Sequence, residues 1–266
     1  MPGPIRLLQI DAFTAEPFRG NPAAVCILDG PRDDAWMAAV AREMNLSETA
    51  FLGRRESAWG LRWFTPAVEV DLCGHATLAS AHALWELQLA PPTGTLRFET
   101  RSGVLTAQTT GDGIVLDFPA EPATAVPWVR PLLDALAVDA PVAFARNRFD
   151  YLVELPDAGQ VRSLRPDMAL LAQIPTRGVI VTARADTPEF DFVSRWFGPR
   201  VGVAEDPVTG SAHCCLGPWW AERLGRMELR GHQASERGGT VGVRVLGERV
   251  QLIGHAVTVL RGELVT

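Results

Sequence analysis

The sequence predicts an α+β protein made of two related halves, each a curved sheet around a central apolar helix. Three observations carry this. A nine-residue phrase, Arg62-Trp63-Phe64-Thr65-Pro66-Ala67-Val68-Glu69-Val70, returns as Arg195-Trp196-Phe197-Gly198-Pro199-Arg200-Val201-Gly202-Val203. Its offset, 195 − 62 = 133, is half of 266. After each copy a glycine and a polar residue open an apolar run, Gly74-His75-Ala76 and Gly210-Ser211-Ala212, now offset by 210 − 74 = 136. Around these runs the order per half is strands, helix, strands, buried helix, strands.

The elements follow in turn. Ile5 to Phe13 reads as a strand, Gly20-Asn21-Pro22 as a turn, and Ala24 to Leu28 as a second strand. Asp33-Asp34 starts a helix through about Met44, acidic at the favourable end. Short strands are expected at 50–52 and 60–64. Ala76 to Leu89 is apolar nearly all round, so this helix is expected to be buried on every side. Strands follow near 96–100, 104–109 and 114–118. The stretch from Pro119 to Pro127 is the best linker candidate. It separates an expected domain at 1–118, to which a last strand near 255–266 returns, from a second at 119–254. Beyond it, helices are expected at 132–136 and 166–173, and strands at 151–155, 179–182 and 190–197. The second buried helix, 212–224, contains Gly217-Pro218 and should kink or restart there. Three strands close the chain, near 241–245, 249–253 and 255–261.

Composition narrows the chemistry. With 47% apolar and 21% charged residues the chain is an ordinary globular protein. A net charge of −6 gives no reason to expect nucleic acid or an anionic membrane as partner. The sequence has no run of about 18 apolar residues and does not open on a signal-peptide core. Cys26, Cys73, Cys214 and Cys215 lack C-x-x-C spacing and read as reduced thiols, so a cytoplasmic location is expected. All 25 basic residues are arginine. Without a lysine amine there is no pyridoxal phosphate Schiff base, lysine aldolase or Walker A site.

Five ordered blocks then stand out: Asp11-Ala12-Phe13-Thr14, Phe18-Arg19-Gly20-Asn21-Pro22, Asn45 to Phe51, Leu72-Cys73-Gly74-His75-Ala76-Thr77, and Glu205 to Ala212. Together, with Gly231-His232-Gln233, they resemble the phenazine-biosynthesis PhzF-like family nearly end to end. The resemblance implies the diaminopimelate epimerase fold, with two pseudo-symmetric domains. It also implies cofactor-free isomerase activity, frequent homodimers, Glu48 as the base, and His75, Asp206 and Ser211 as its partners.

The residues support a parallel reading of their own. Glu48 precedes an apolar strand, and a carboxylate at the mouth of a dry cleft is a usable base near neutral pH. Gly74 and Gly210 each open a buried helix, whose N-terminal amides would bind a substrate carboxylate or an enolate oxygen if both faced the interdomain cleft. The plain alternative is capping by Thr209 or Ser211. His75 would relay a proton or bind a carboxylate; Asp206 would orient His75 or act as a second acid, unless it merely forms a turn.

Cys73 sits where epimerases of the fold carry a thiol base. Its repeat partner, 73 + 136 = 209, is Thr209, too weak an acid for two-thiol racemisation. The partner of Glu48, 48 + 133 = 181, is Val181. A one-sided base suits a proton shift better than stereoinversion. His213-Cys214-Cys215 lacks metal-ligand spacing, so no metal is expected. The expected function is therefore a cofactor-independent isomerase, in which Glu48 moves a proton between carbons of a small carboxylate. The alternatives are an α-carbon epimerase, racemase or dehydratase using Cys73 with Thr209, and a non-catalytic carboxylate-binding protein.

Overall fold

In a computed structural model, which describes residues 4–265, the chain forms two compact units, Met1–Phe118 with Ile253–Thr266, and Pro119–Leu252. The first unit opens with the antiparallel pair β1 (Ile5–Ala12) and β2 (Asn21–Leu28). Helix α1 (Asp34–Met44) begins at Asp33, whose side chain accepts the Trp36 amide, and ends at Asn45 in the left-handed region. Next come β3 (Glu48–Arg54), parallel to β2, and β4 (Trp59–Phe64), antiparallel to β3. The short β5 (Glu69–Val70) folds back on β4 and leads into α2 (Gly74–Glu86). Strand β6 (Thr95–Thr100) lies parallel to β4 and continues into β7 (Gly103–Thr110) and β8 (Gly113–Pro119) as an antiparallel meander. The chain-terminal strand Ala256–Leu264 pairs with β1.

The sequence pattern explains the layering. On β1 and β2, Ile5, Leu7, Ala24 and Cys26 meet Met37, Val40 and Ala41 of α1. Helix α2 is buried from His75 to Ala81 and again at Ala83 and Leu84, as its all-round apolar composition requires. Each such leucine contributes about 1.5–3 kcal/mol by leaving water.

The second unit contains β9 (Thr124–Ala125), α3 (Arg130–Leu136), β10 (Ala143–Arg146), β11 (Asp150–Glu154), α4 (Ala158–Ser163), α5 (Met168–Leu171), β12 (Gly178–Arg184) and β13 (Phe192–Phe197). A 3-10 turn at Pro199–Val201 precedes α6 (Gly210–Leu224), β14 (Glu228–Gln233), β15 (Gly239–Leu246) and β16 (Arg249–Gly254). The chain-terminal strand is then β17. Pairing repeats that of the first unit: β11 runs parallel to β12, β12 antiparallel to β13, β13 parallel to β14, and β14 antiparallel to β15. Helix α6 occupies the place of α2, with its residues from Ala212 to Gly217 buried.

Register corrects one expectation. Phe64 and Phe197 are equivalent in the repeated phrase; Phe64 faces Thr49, and Phe197 faces Val179. The counterpart of Glu48 is therefore Gly178, not Val181. The loop joining the two strands covers 55–58 in the first unit and 185–191 in the second, three residues more. That insertion shortens the offset before it to 130. A Cβ at Gly178 would stand 2.3 Å from Cζ2 of Trp196, so the indole fills the space where a side chain would begin. The second unit has no room for a matching acid.

A second insertion explains the change from 133 to 136. Arg62 donates through Nε and Nη2 to the two carboxylate oxygens of Glu69, at 2.7 and 2.6 Å. Arg195 does the same to Glu205, at 2.7 and 2.8 Å. The equivalent glutamates differ by 205 − 69 = 136, and the 3-10 turn accommodates the difference.

Other expectations also change. The Pro119–Pro127 stretch is no loose linker: the Ala120 amide donates to Glu248 O, the Glu121 amide to Cys214 O, and β9 pairs with β10. Helix α6 does not restart at Pro218 but runs through it. The helix expected at 166–173 shortens to α5, and β10, α4 and β14 are additional. Trp219 and Trp220 are buried, donating to Glu154 Oε2 at 2.9 Å and Thr182 Oγ1 at 3.0 Å. Cys214 and Cys215 are buried as well, and burial pushes the Cys215 thiol up to about 12. They are core groups rather than nucleophiles.

Candidate active site

In the first unit three predicted residues meet at the start of α2. Glu48 opens β3, Cys73 is the N-cap of α2, and His75 lies in its first turn. His75 is 4% exposed, and its Nε2 stands 3.3 Å from Glu48 Oε2. This is longer than the usual charge-assisted bond of about 2.7–2.9 Å. The other ring nitrogen, Nδ1, lies 3.2 Å from Asn21 Nδ2 and 3.5 Å from Cys73 Sγ. Burial lowers the His75 pKa to about 3, so the imidazole is neutral at pH 7. Cys73 makes no side-chain cap to the helix. Gly74 opens α2 with a backbone that carries the positive end of the helix dipole and has no bulk of its own.

Among the described residues, Glu48, Cys73 and His75 also offer ligand-type atoms within 4.8 Å of one another. The thiol approaches Nδ1 and the carboxylate Nε2.

In the second unit the predicted residues gather at the start of α6. Thr209 is its N-cap and, like Cys73, makes no side-chain cap. Its hydroxyl instead donates to Asp206 Oδ2 at 2.5 Å. Gln233, fully buried on β14, organises the pair: Oε1 accepts the Thr209 amide at 2.9 Å, while Nε2 donates to Asp206 O at 2.7 Å and Thr209 Oγ1 at 3.1 Å. Asp206 is more than a turn former, because its carboxylate is held by this network. Ser211, one residue past Gly210, accepts from Arg177 Nη2 at 3.1 Å rather than capping the helix. Arg177 is clamped in turn by both oxygens of the buried Asp150, which also accepts Trp196 Nε1 at 3.2 Å.

Sequence reasoning did not single out Asn21, Gln233, Asp150 or Arg177. For the first two a signal was present, since both lie inside resemblance blocks. For Asp150 and Arg177 only the fold brings strand and loop together.

His213 gives the second unit an acid-sensitive core. It is fully buried on α6, and its Nδ1–H donates to Thr209 O at 2.9 Å. Burial depresses its pKa to about 4, below the 6.5 of an unfolded histidine. Between those values the unfolded chain binds a proton that the folded chain refuses. The resulting stability is complete above about pH 6.5 and falls as pH drops toward 4. His75, depressed to about 3, acts in the same direction. In urea titrations, His213→Asn is expected to flatten the slope of unfolding free energy between pH 6.5 and 4.5 by nearly one proton. An unchanged slope would refute the assignment.

Known proteins resemble this chain. A family model described as phenazine biosynthesis-like protein matches residues 10–262. A Halalkalibacterium halodurans protein named as an uncharacterized isomerase is 54% identical, with 96% of each chain covered. A human phenazine biosynthesis-like domain-containing protein is 43% identical, again over 96% of each. The crystal structure of a PhzF family protein from Enterococcus faecalis superposes with a TM-score of 0.94 at 38% identity, covering 99% of this chain and all of the other. At 12% identity, a hydroxyproline epimerase from Agrobacterium vitis shares the fold, with a TM-score of 0.63 over 98% of this chain and 92% of the other. No described helix is long and apolar enough to cross a membrane.

Proposed function

Because the chain belongs to the phenazine biosynthesis-like family, we propose that it is a cofactor-independent isomerase that moves a proton between carbons of a small carboxylate-bearing substrate. The observation that carries this reading is the approach of Glu48 to the neutral, buried His75 beside the start of α2. Glu48 removes a proton from a carbon acidified by adjacent unsaturation or a carbonyl, and returns it to another carbon. The developing negative charge meets the amide-rich start of α2 at Gly74. His75, uncharged, orients the carboxylate instead of taking the proton.

Asp206 and Ser211 assist as the resemblance implies, and Thr209 and Gly210, at the start of α6, are taken with them as substrate-binding groups. The Thr209 hydroxyl, already donating to Asp206 Oδ2, is poorly placed to serve as an opposing base, which argues against the two-base epimerase alternative. We also take the working protein to be a cytoplasmic homodimer.

A deuterium wash-in screen tests the proposal. Small unsaturated and amino carboxylates are incubated with the protein in D2O and read by mass spectrometry. The expected result is deuterium entering at least one compound, with Cys73→Ala retaining the exchange. Exchange that vanishes in Cys73→Ala but survives in Glu48→Gln would replace this reading with the thiol-based alternative. Saturable carboxylate binding with no exchange anywhere would replace it with a binding protein.

A further inference from the structure

We propose that Asn21 is a positioning residue that fixes the tautomer of His75, so that the ring presents Nε2–H to Glu48. The inference deepens the reading of Glu48 as a base, but its test needs no turnover.

Asn21 is fully buried and opens β2 opposite Ala12 of β1. The turn before it leaves little freedom. Gly20 has φ +63°, and a Cβ there would fall 2.2 Å from Ala12 O. The same turn is tied down by Asp11, whose Oδ2 accepts the Phe18 amide at 2.7 Å. A rigid strand end thus delivers the Asn21 carboxamide to His75, with Nδ2 3.2 Å from Nδ1.

The chemistry of the two groups decides the proton's place. An amide nitrogen only donates, so Nδ1 must accept. A neutral imidazole carries one proton, which is then on Nε2, the nitrogen facing Glu48 Oε2 at 3.3 Å. Reversing the carboxamide would put Oδ1 on Nδ1 and move the proton there. The Nε2 lone pair would then face an anionic carboxylate, a repulsive contact. With Glu48 ionised, as its role as a base requires, only the first arrangement gives Nδ1 a donor and turns a proton rather than a lone pair toward the carboxylate. Cys73 Sγ, 3.5 Å from Nδ1, adds a weak donor on the same side and reinforces it.

The consequence is a division of labour. A histidine locked as an Nε2–H donor cannot accept a proton on the side of Glu48. It can orient the carboxylate, which leaves the proton transfer to Glu48.

Long-range 1H–15N correlation spectra of the 15N-labelled full chain at pH 7 read the tautomer directly. His75, assigned by its loss in His75→Gln, is expected to show a pyridine-like Nδ1 and a pyrrole-like Nε2. In Asn21→Leu, which removes the donor, the two 15N shifts should move toward each other as the tautomers mix. In Asn21→Asp, which can only accept, Nδ1 should become pyrrole-like. A pyrrole-like Nδ1 in the unaltered protein would overturn the proposal without any variant having to fold. So would unchanged His75 shifts in a folded Asn21→Leu. If the tautomer is as stated but no compound exchanges deuterium, the proposal stands and the enzymatic reading fails.

Discussion

Glu48→Gln is expected to slow solvent-deuterium exchange by about 10²–10⁴-fold, the usual contribution of a positioned acid–base group. The substitution preserves shape and removes only the ability to cycle a proton. Glu48 sits at the first position of β3, where its backbone pairs in register with Ala23, so the neighbouring ladder should not change. The repeat supplies no second copy of this acid, because the matching position is Gly178 beneath the Trp196 ring. Loss should therefore appear in kcat and kcat/KM together, with the thermal midpoint nearly unaltered. A variant that exchanges deuterium within about threefold of the parent rate would remove Glu48 from the mechanism.

Arg195→Ala should have the largest effect on stability, about 3–5 kcal/mol, as when one partner of a buried ion pair is removed. The side chain is 9% exposed and makes bonds in two directions. Nε and Nη2 engage both oxygens of Glu205, while Nη1 donates to Leu164 O at 2.7 Å and Val161 O at 3.3 Å. It thus satisfies carbonyls at the end of α4 and holds the loop that precedes Asp206 and α6.

Its twin supplies the control. The Arg62 side chain is 31% exposed, and Arg101 also reaches Glu69 Oε2, at 2.7 Å. Arg62→Ala leaves that carboxylate partnered by Arg101, so its cost should be the smaller of the two. Urea unfolding of both variants decides the matter; equal losses would show that burial and redundancy do not govern the pair.

Periodicity and composition made the α+β class and both central helices legible. A helix apolar on all faces has nowhere to go but the inside of a sheet, and α2 and α6 obey this. Cys73 and His75 were legible as candidates because they flank a helix start, and Glu48 because it precedes an apolar strand inside a resemblance block. Their mutual distances were not.

Strand β14 escaped notice because Gly231 and Gln233 share its buried face, leaving Leu229 as its one large buried apolar residue. Asn21 read as part of a turn because Gly-Asn-Pro is a turn signal. Only the β1–β2 register converts it into a buried strand end. Gly178 was hidden by a loop of unequal length, which a constant repeat offset cannot see.

Pro218 has a wider consequence. Having no amide hydrogen, it cannot bond to the carbonyl of Cys214, one turn earlier in α6. That oxygen instead accepts the Glu121 amide at 3.1 Å. Asn147 Nδ2 also donates to Glu121 O at 3.4 Å, and Arg148 reaches its carboxylate at 2.6 Å. A gap in a helical ladder has become an anchorage for the proline-rich strap that crosses it. Such a strap should resist proteolytic nicking despite its composition. Grafting, circular permutation or tag insertion there would unseat a helix rather than lengthen a tether.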